Sequence, residues 1–246
     1  MGSLLHTIFY EPLFNLLVFV YGALPVRDFG LAVVVVTVVV KLVLYPLSAQ
    51  SIRSQKAMLE LQPKLAELKA RHKDNKQALA QATIQLYREN KVNPFSSCLP
   101  LIIQLPFLFA LYSVFINGIS SRGFEDLYSF VANPGSISSM TLGIFDLSKA
   151  SVVLAILAGA AQFWQAKMLQ HKKPQLKNTE AADENVMATM NKKMLYIMPV
   201  VTVAIGSSLP GGLTLYWLVT TVLTALQQLV VFKKIGGASS VPRETK

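Results

Sequence analysis

The stretch GLAVVVVTVVVKLVLYPL, residues 30–47, constrains the fold more than any other part of the chain. It has nearly the length and oiliness of a bilayer-crossing helix, which needs about 20 apolar residues, yet it carries an ammonium group at Lys41. Four further apolar runs follow, at 95–117, 150–168, 193–209 and 212–232. The last two are joined by LPGG, a tight turn signal, and predict a helical hairpin. Only 15% of the residues are charged and 52% are hydrophobic, whereas soluble domains carry about 25% charged residues. The expected fold is therefore all-α: a polytopic membrane protein with five transmembrane helices, the first spanning 29–48.

The connecting segments give the orientation. Residues 49–94 hold nine Lys/Arg against four acids, 118–149 two against three, 167–193 six against three, and 233–246 four against one. By the positive-inside rule the N-terminus is outside and the C-terminus cytoplasmic. The net charge of +10 is then mainly a topology signal, with ribosome or lipid contact as a second use. Residues 1–28 form an outer segment. Its apolar run, 13–24, is too short to cross a bilayer and predicts an interfacial helix. It lacks a basic n-region, so no signal peptide is expected. In the first inner loop, 49–94, Met58, Leu61, Leu65 and Leu68 recur at helical spacing, and Leu79, Ala82 and Leu86 repeat it after HKDNK. That pattern predicts a cytoplasmic coiled-coil hairpin, with Pro63 kinking or restarting its first helix. The outer loop (118–149), the inner loop (169–192) and the basic tail (233–246) show little periodicity.

Lys41 costs about 2.5–3.5 kcal/mol on insertion scales, and the thirteen Leu, Val and Phe residues of 29–48 offset this with about 4–8 kcal/mol. The span tolerates its charge. Lys41 also stands about 10 Å along the helix from the cytoplasmic end, near enough for its stem to snorkel. On a helix, Thr37, Lys41, Tyr45 and Ser48 share one side, while the other faces are Val and Leu. A second stripe, Trp217, Thr221, Thr224 and Gln228, runs along the fifth span, with Thr214 and Thr220 beside it. Gln104 and Gln162 add polar groups to the second and third spans; each suits a cavity wall or a helix-to-helix hydrogen bond. Two polar stripes and a cation together point to a wet internal cavity.

The sequence lacks a phosphate-binding loop, an H-E-x-x-H helix and a serine nucleophile elbow. No acidic residue falls within a span, His6, His72 and His171 lie in the flanks, and Cys98 is alone. No enzyme, metal site or cofactor is expected. The spans do not divide into matching halves, which weighs against an inverted-repeat transporter.

Several segments resemble the YidC/Oxa/Alb family of membrane-protein insertases. They are YEPLFNLL, the first span, KAMLELQPKLAELKARH, LYRENKVNPFSSCLPLIIQLPFLFALY, and MPVVTVAIGSSLPGGLTLYW followed by QQ, in order at matching spacing. The absence of a large outer domain before the first core span is similar to the compact bacterial members. The resemblance implies a hydrophilic groove open to the cytoplasm and to lipid, with five spans around it, in a bacterial plasma membrane. It implies that nascent membrane proteins are received there without ATP, with the ribosome and a larger protein-conducting channel as further partners and no sequence-specific nucleic acid. Lys41 stands where the family carries arginine. The groove residues so implied are Lys41, Thr37, Tyr45, Gln104, Gln162, Tyr216, Trp217, Thr221, Thr224 and Gln228. Thr220 and Thr221 follow the LYW element, where the family often has Asn. A small-solute channel or transporter, and a structural assembly factor, are the alternatives from other classes.

Overall fold

The computed structural model describes residues 6–73, 75–97, 99–118, 121–168 and 195–238. The inner loop predicted at 169–192 with His171, the first two residues of the fourth predicted span, Cys98 and the tail beyond 238 lie outside them.

The fold is mostly helical. A π-helical turn, His6–Tyr10, leads into α1, Glu11–Ala23. Leu13, Phe14, Leu17, Val18 and Tyr21 recur along one face of α1 and are buried, Phe14 and Leu17 completely. Phe19 and Ile8 face outward, so this amphipathic element has one side in the core and one side free. Phe14 stacks between Tyr10 and Phe124 at centroid distances of 5.6 and 6.5 Å. Asn15, 2% exposed, bonds α1 to the outer loop. Its Nδ2 donates to the carbonyls of Glu11 (2.8 Å) and Asp126 (2.9 Å), and its Oδ1 accepts from the Tyr128 amide (2.6 Å). Replacing it by Leu strands two backbone groups of the outer loop. Asn15→Leu is expected to lower stability by about 1–3 kcal/mol, read as a lower midpoint of thermal unfolding in detergent.

Helix α2, Phe29–Val43, is capped by Asp28, whose Oδ1 accepts from the Leu31 amide at 2.8 Å. The chain then bends by 70° into α3, Tyr45–Glu60. Pro46 explains the break: it has no N–H to give the Leu42 carbonyl, and its ring would crowd that carbonyl in a continuous helix. The first apolar helix thus ends at Val43, and the residues predicted to complete the span begin the next helix. A second break at Leu61 starts α4, Gln62–Arg71, with Pro63 in its first turn. Helix α5, Lys76–Glu89, is capped by Asn75 and folds back on α4. No residue of α4 or α5 is buried. The base of this hairpin is fixed instead through α3, where Ile52 packs on Val231 and Phe232, and the Ser51 hydroxyl donates to the Ser96 carbonyl (2.7 Å).

A 3-10 turn, Pro94–Ser97, precedes α6, Leu99–Ser113. The outer segment that follows contains a two-stranded antiparallel hairpin, β1 (Met140–Thr141) and β2 (Phe145–Asp146), with Thr141 opposite Phe145. Among the described residues this is the one departure from an all-α fold. Then come α7, Val152–Met168, α8, Leu195–Gly206, and α9, Gly211–Ala238. Helices α7 and α8 approach at Gly159, where a Cβ would overlap Val203. Gly212 lies against the Phe115 ring in the same way.

Among the described residues, one helix, Gly211–Lys233, is long and apolar enough to cross a membrane; the bent α2–α3 pair is a second if taken as one span. The apolar helices Gln104–Ile116, Val152–Met168 and Leu195–Gly206 are shorter. Their outward faces are strongly apolar: Ile102 and Phe109, Val152 and Ile156, Ile197 and Val200 are all more than half exposed, as are Leu42 and Val43 on α2. Such a surface suits lipid and not water.

Candidate functional site: a polar face inside the helix bundle

The site is built on α9. At about 100° per residue, Tyr216, Thr220 and Gln227 lie to one side of Thr224, and Thr214, Thr221 and Ala225 to the other. Both flanks are buried. Leu226, Leu229 and Val230, on the opposite side of the helix, are 46%, 46% and 47% exposed and form its apolar outer face. Thr224 and Trp217, between the buried flanks, are only half-buried. The helix thus has one open apolar side, and on the opposite side Thr224 and Trp217 stay partly exposed among the buried Leu213, Gln228 and Val231.

Lys41 enters the polar side from α2. Its Nζ donates to Thr224 Oγ1 at 2.9 Å. The Thr224 hydroxyl gives its own proton to the Thr220 carbonyl (2.7 Å), so it faces the amine as an acceptor. Among the described residues Lys41 makes no ion pair, and its positive charge is left without a fixed counter-charge. The flank nearest α3 is closed by Gln227. Its Oε1 accepts from the Ser48 hydroxyl (2.6 Å) and its Nε2 donates to the Tyr45 carbonyl (3.3 Å). On α6, Gln104 Nε2 donates to the Tyr216 hydroxyl. On the other flank Thr214 donates to the Gly206 carbonyl at 3.0 Å.

The structure pairs Lys41 with Thr224 and, about two turns earlier on α9, Gln104 with the buried Tyr216; Tyr45 contributes its carbonyl and is 39% exposed. Trp217 lies on the same side of α9 as Thr224, about two turns earlier, and is half-buried. Thr221 and Gln228 are buried on the flank, and among the described residues Gln228 Oε1 has no hydrogen-bond partner. Thr37 is buried and donates to the Val33 carbonyl of its own helix (2.6 Å). Gln162 accepts from the Thr202 hydroxyl across the α7–α8 contact, as a helix-to-helix bond. Of the hairpin residues, Leu61 is buried at the break, and Met58, Leu65 and Leu68 are half-buried. Gln227, outside the predicted stripe, lies about 60° from Thr224 on the side away from Thr221 and Gln228.

Residues 20–238 match the 60Kd inner membrane protein family. The chain belongs to this family of YidC/Oxa-type membrane protein insertases. It is 34% identical to "Membrane protein insertase YidC" of Fusobacterium nucleatum over 209 residues, which covers 85% of this chain and 88% of that protein. Proteins of the same description from Pelobacter propionicus and Tolumonas auensis are 32% and 34% identical over 93% and 92% of the chain. The chain spans only 39% and 36% of the length of those two relatives. Membership agrees with the resemblance carried by the sequence motifs, and an insertase catalyses no covalent conversion.

Proposed function

We propose that this chain is a membrane-protein insertase whose working surface is the polar side of α9 facing Lys41. A nascent membrane protein enters from the cytoplasmic side and rests its polar outer tail beside Lys41, Thr224, Trp217 and Gln104. Its apolar span then passes sideways into lipid. In this arrangement α2, α6, α7, α8 and α9 are the five spans, α1 lies along the outer interface, and the α4–α5 hairpin stands in the cytoplasm at the groove mouth. The N-terminus is outside and the C-terminus inside, in a bacterial plasma membrane.

The observation that carries this reading is the Lys41 ammonium, without an ion pair among the described residues and bonded to Thr224 on the side of α9 opposite its apolar face. A cation held there attracts a tail carboxylate far more strongly than water would allow: about 4 kcal/mol at 4 Å for an effective dielectric of ~20, against about 1 kcal/mol in bulk water. Hydroxyls and amides along the face replace some of the water that polar backbone loses on entering the bilayer. Release is driven by the substrate itself, because a 20-residue apolar span gains roughly 6–12 kcal/mol in lipid. The membrane potential adds about 2.3 kcal/mol per acidic charge per 100 mV. These terms together need no ATP.

Photocrosslinking tests the path. A benzophenone amino acid at position 104 or 217 is expected to capture a short-tailed nascent membrane protein during translation. The same probe at Leu226, on the apolar face, should capture it at least about tenfold less, the ratio expected if contact there costs 1.4 kcal/mol more. Equal capture at all three positions would remove the groove from the account.

A further inference from the structure

The outer end of the molecule carries a separate apolar surface. The loop joining β1 to β2 turns through Leu142 and Gly143, with φ of 52° and 68°. Glycine adopts that conformation freely, whereas a bulky residue rarely does. Leu142 is held there by Asp28: its amide donates to Asp28 Oδ2 at 2.6 Å, while the Thr141 hydroxyl donates to Oδ1. Gly30 permits the approach, since a Cβ would overlap the Thr141 side chain. In this posture Leu142 and Ile144 are 77% and 74% exposed. The chain has fixed a turn that Asn or Gly would enter more easily, and uses it to point two large aliphatic side chains outward.

What covers them follows from the neighbouring helix. The Asp28 carboxylate also accepts from the Leu31 amide, so the Leu142 and Leu31 backbones flank a single side chain. Leu31, Val39 and Leu42 share one exposed side of α2, within about 80°, and in the proposed insertase arrangement, on which this inference rests, that side faces lipid. Val26, before the helix, is exposed as well. The apolar tip is therefore continuous with the lipid-facing surface of α2. Arg27, exposed beside it, is placed to meet a headgroup phosphate.

We propose that the β1–β2 tip is a lipid anchor, in which Leu142 and Ile144 enter the bilayer boundary and, through Asp28, set the depth of the outer end of α2. Lys41 lies thirteen residues further along, about 20 Å at the helical rise. The anchor would thus also set how deep the ammonium stands.

The test uses the full chain in phosphatidylcholine–phosphatidylglycerol vesicles. Cys98 is replaced by Ser, and a nitroxide is attached at Leu142→Cys or, in a second protein, Ile144→Cys. Leu42→Cys serves as the lipid-exposed reference on α2 and Ser136→Cys as the aqueous one. The anchor predicts a shift to oxygen-dominated relaxation at 142 and 144, as at 42. Relaxation dominated by a water-soluble nickel chelate, as at 136, overturns it while leaving α2 in the membrane. Low access to both reagents means that protein covers the tip, and this also overturns the assignment.

Discussion

In Lys41→Glu, substrates with acidic outer tails are expected to stay uninserted, while Lys41→Arg inserts them at close to the unmodified rate. The reversal turns an attraction of about 4 kcal/mol at 4 Å into a repulsion of similar size at an effective dielectric of ~20. If only a third of that ~8 kcal/mol difference survives in the hydrated groove, the rate falls about 100-fold. Arginine keeps the charge and can still donate to Thr224. Substrates with neutral tails serve as the control and should change little, because they meet only the hydroxyls and amides of the face. Protease protection of the translocated tail measures all three cases. Normal insertion of acidic-tailed substrates by Lys41→Glu would remove charge attraction from the mechanism.

Asp28→Ala is expected to destabilise the outer end by about 2–4 kcal/mol. One carboxylate caps α2 through Leu31 and holds β1 and its turn through Thr141 and Leu142. A lost N-cap alone costs about 1 kcal/mol, and hydrogen bonds to a charged group contribute about 1.5–3 kcal/mol each, not additively. Burial pushes the Asp28 carboxyl up, but the Thr141 hydroxyl and the amides of Leu142, Leu31 and Gly30 together hold it below the ordinary carboxylate value. A lowered pKa in the folded state stabilises above the unfolded value, about 3.9, and that stabilisation is lost as pH falls through the folded pKa. Thermal midpoints should thus be insensitive to this group above about pH 5 and fall below about pH 4. In Asp28→Ala the midpoint is lower throughout and this part of the acid dependence is missing. A midpoint unchanged at neutral pH would show that the outer hairpin is not fastened through Asp28.

The pairing of Lys41 with Thr224 was within reach of the sequence, because each lies on a polar stripe of an otherwise apolar helix and helical periodicity sets the stripe. Periodicity also marked α4 and α5 through Leu68 and Leu86. The stripe could not separate Thr37 from Lys41. A threonine hydroxyl can reach back to its own helix, and only coordinates show that it does so at the Val33 carbonyl. Gln162 was legible as polar but not as a partner of Thr202, since that choice depends on which helices touch. The bend at Leu44 has a local cause in Pro46, yet a hydropathy window runs across it because Leu47 continues the apolar run. Asn15, Asp28 and Thr141 were invisible for another reason. Each has a partner more than 100 residues away, and nothing local to Asn15 distinguishes it from a surface asparagine.

The central claim is that water reaches the Lys41–Thr224 pair from the cytoplasmic side. It is tested most directly by thiol labelling of Thr224→Cys in a Cys98→Ser background, using a membrane-impermeant maleimide and inverted vesicles that expose the cytoplasmic face. The account expects Thr224→Cys to react readily from that side and Leu226→Cys, on the apolar face, to remain unlabelled. If the thiol at position 224 is as unreactive as the one at 226, the polar side of α9 is sealed and no hydrated groove exists for a substrate to enter.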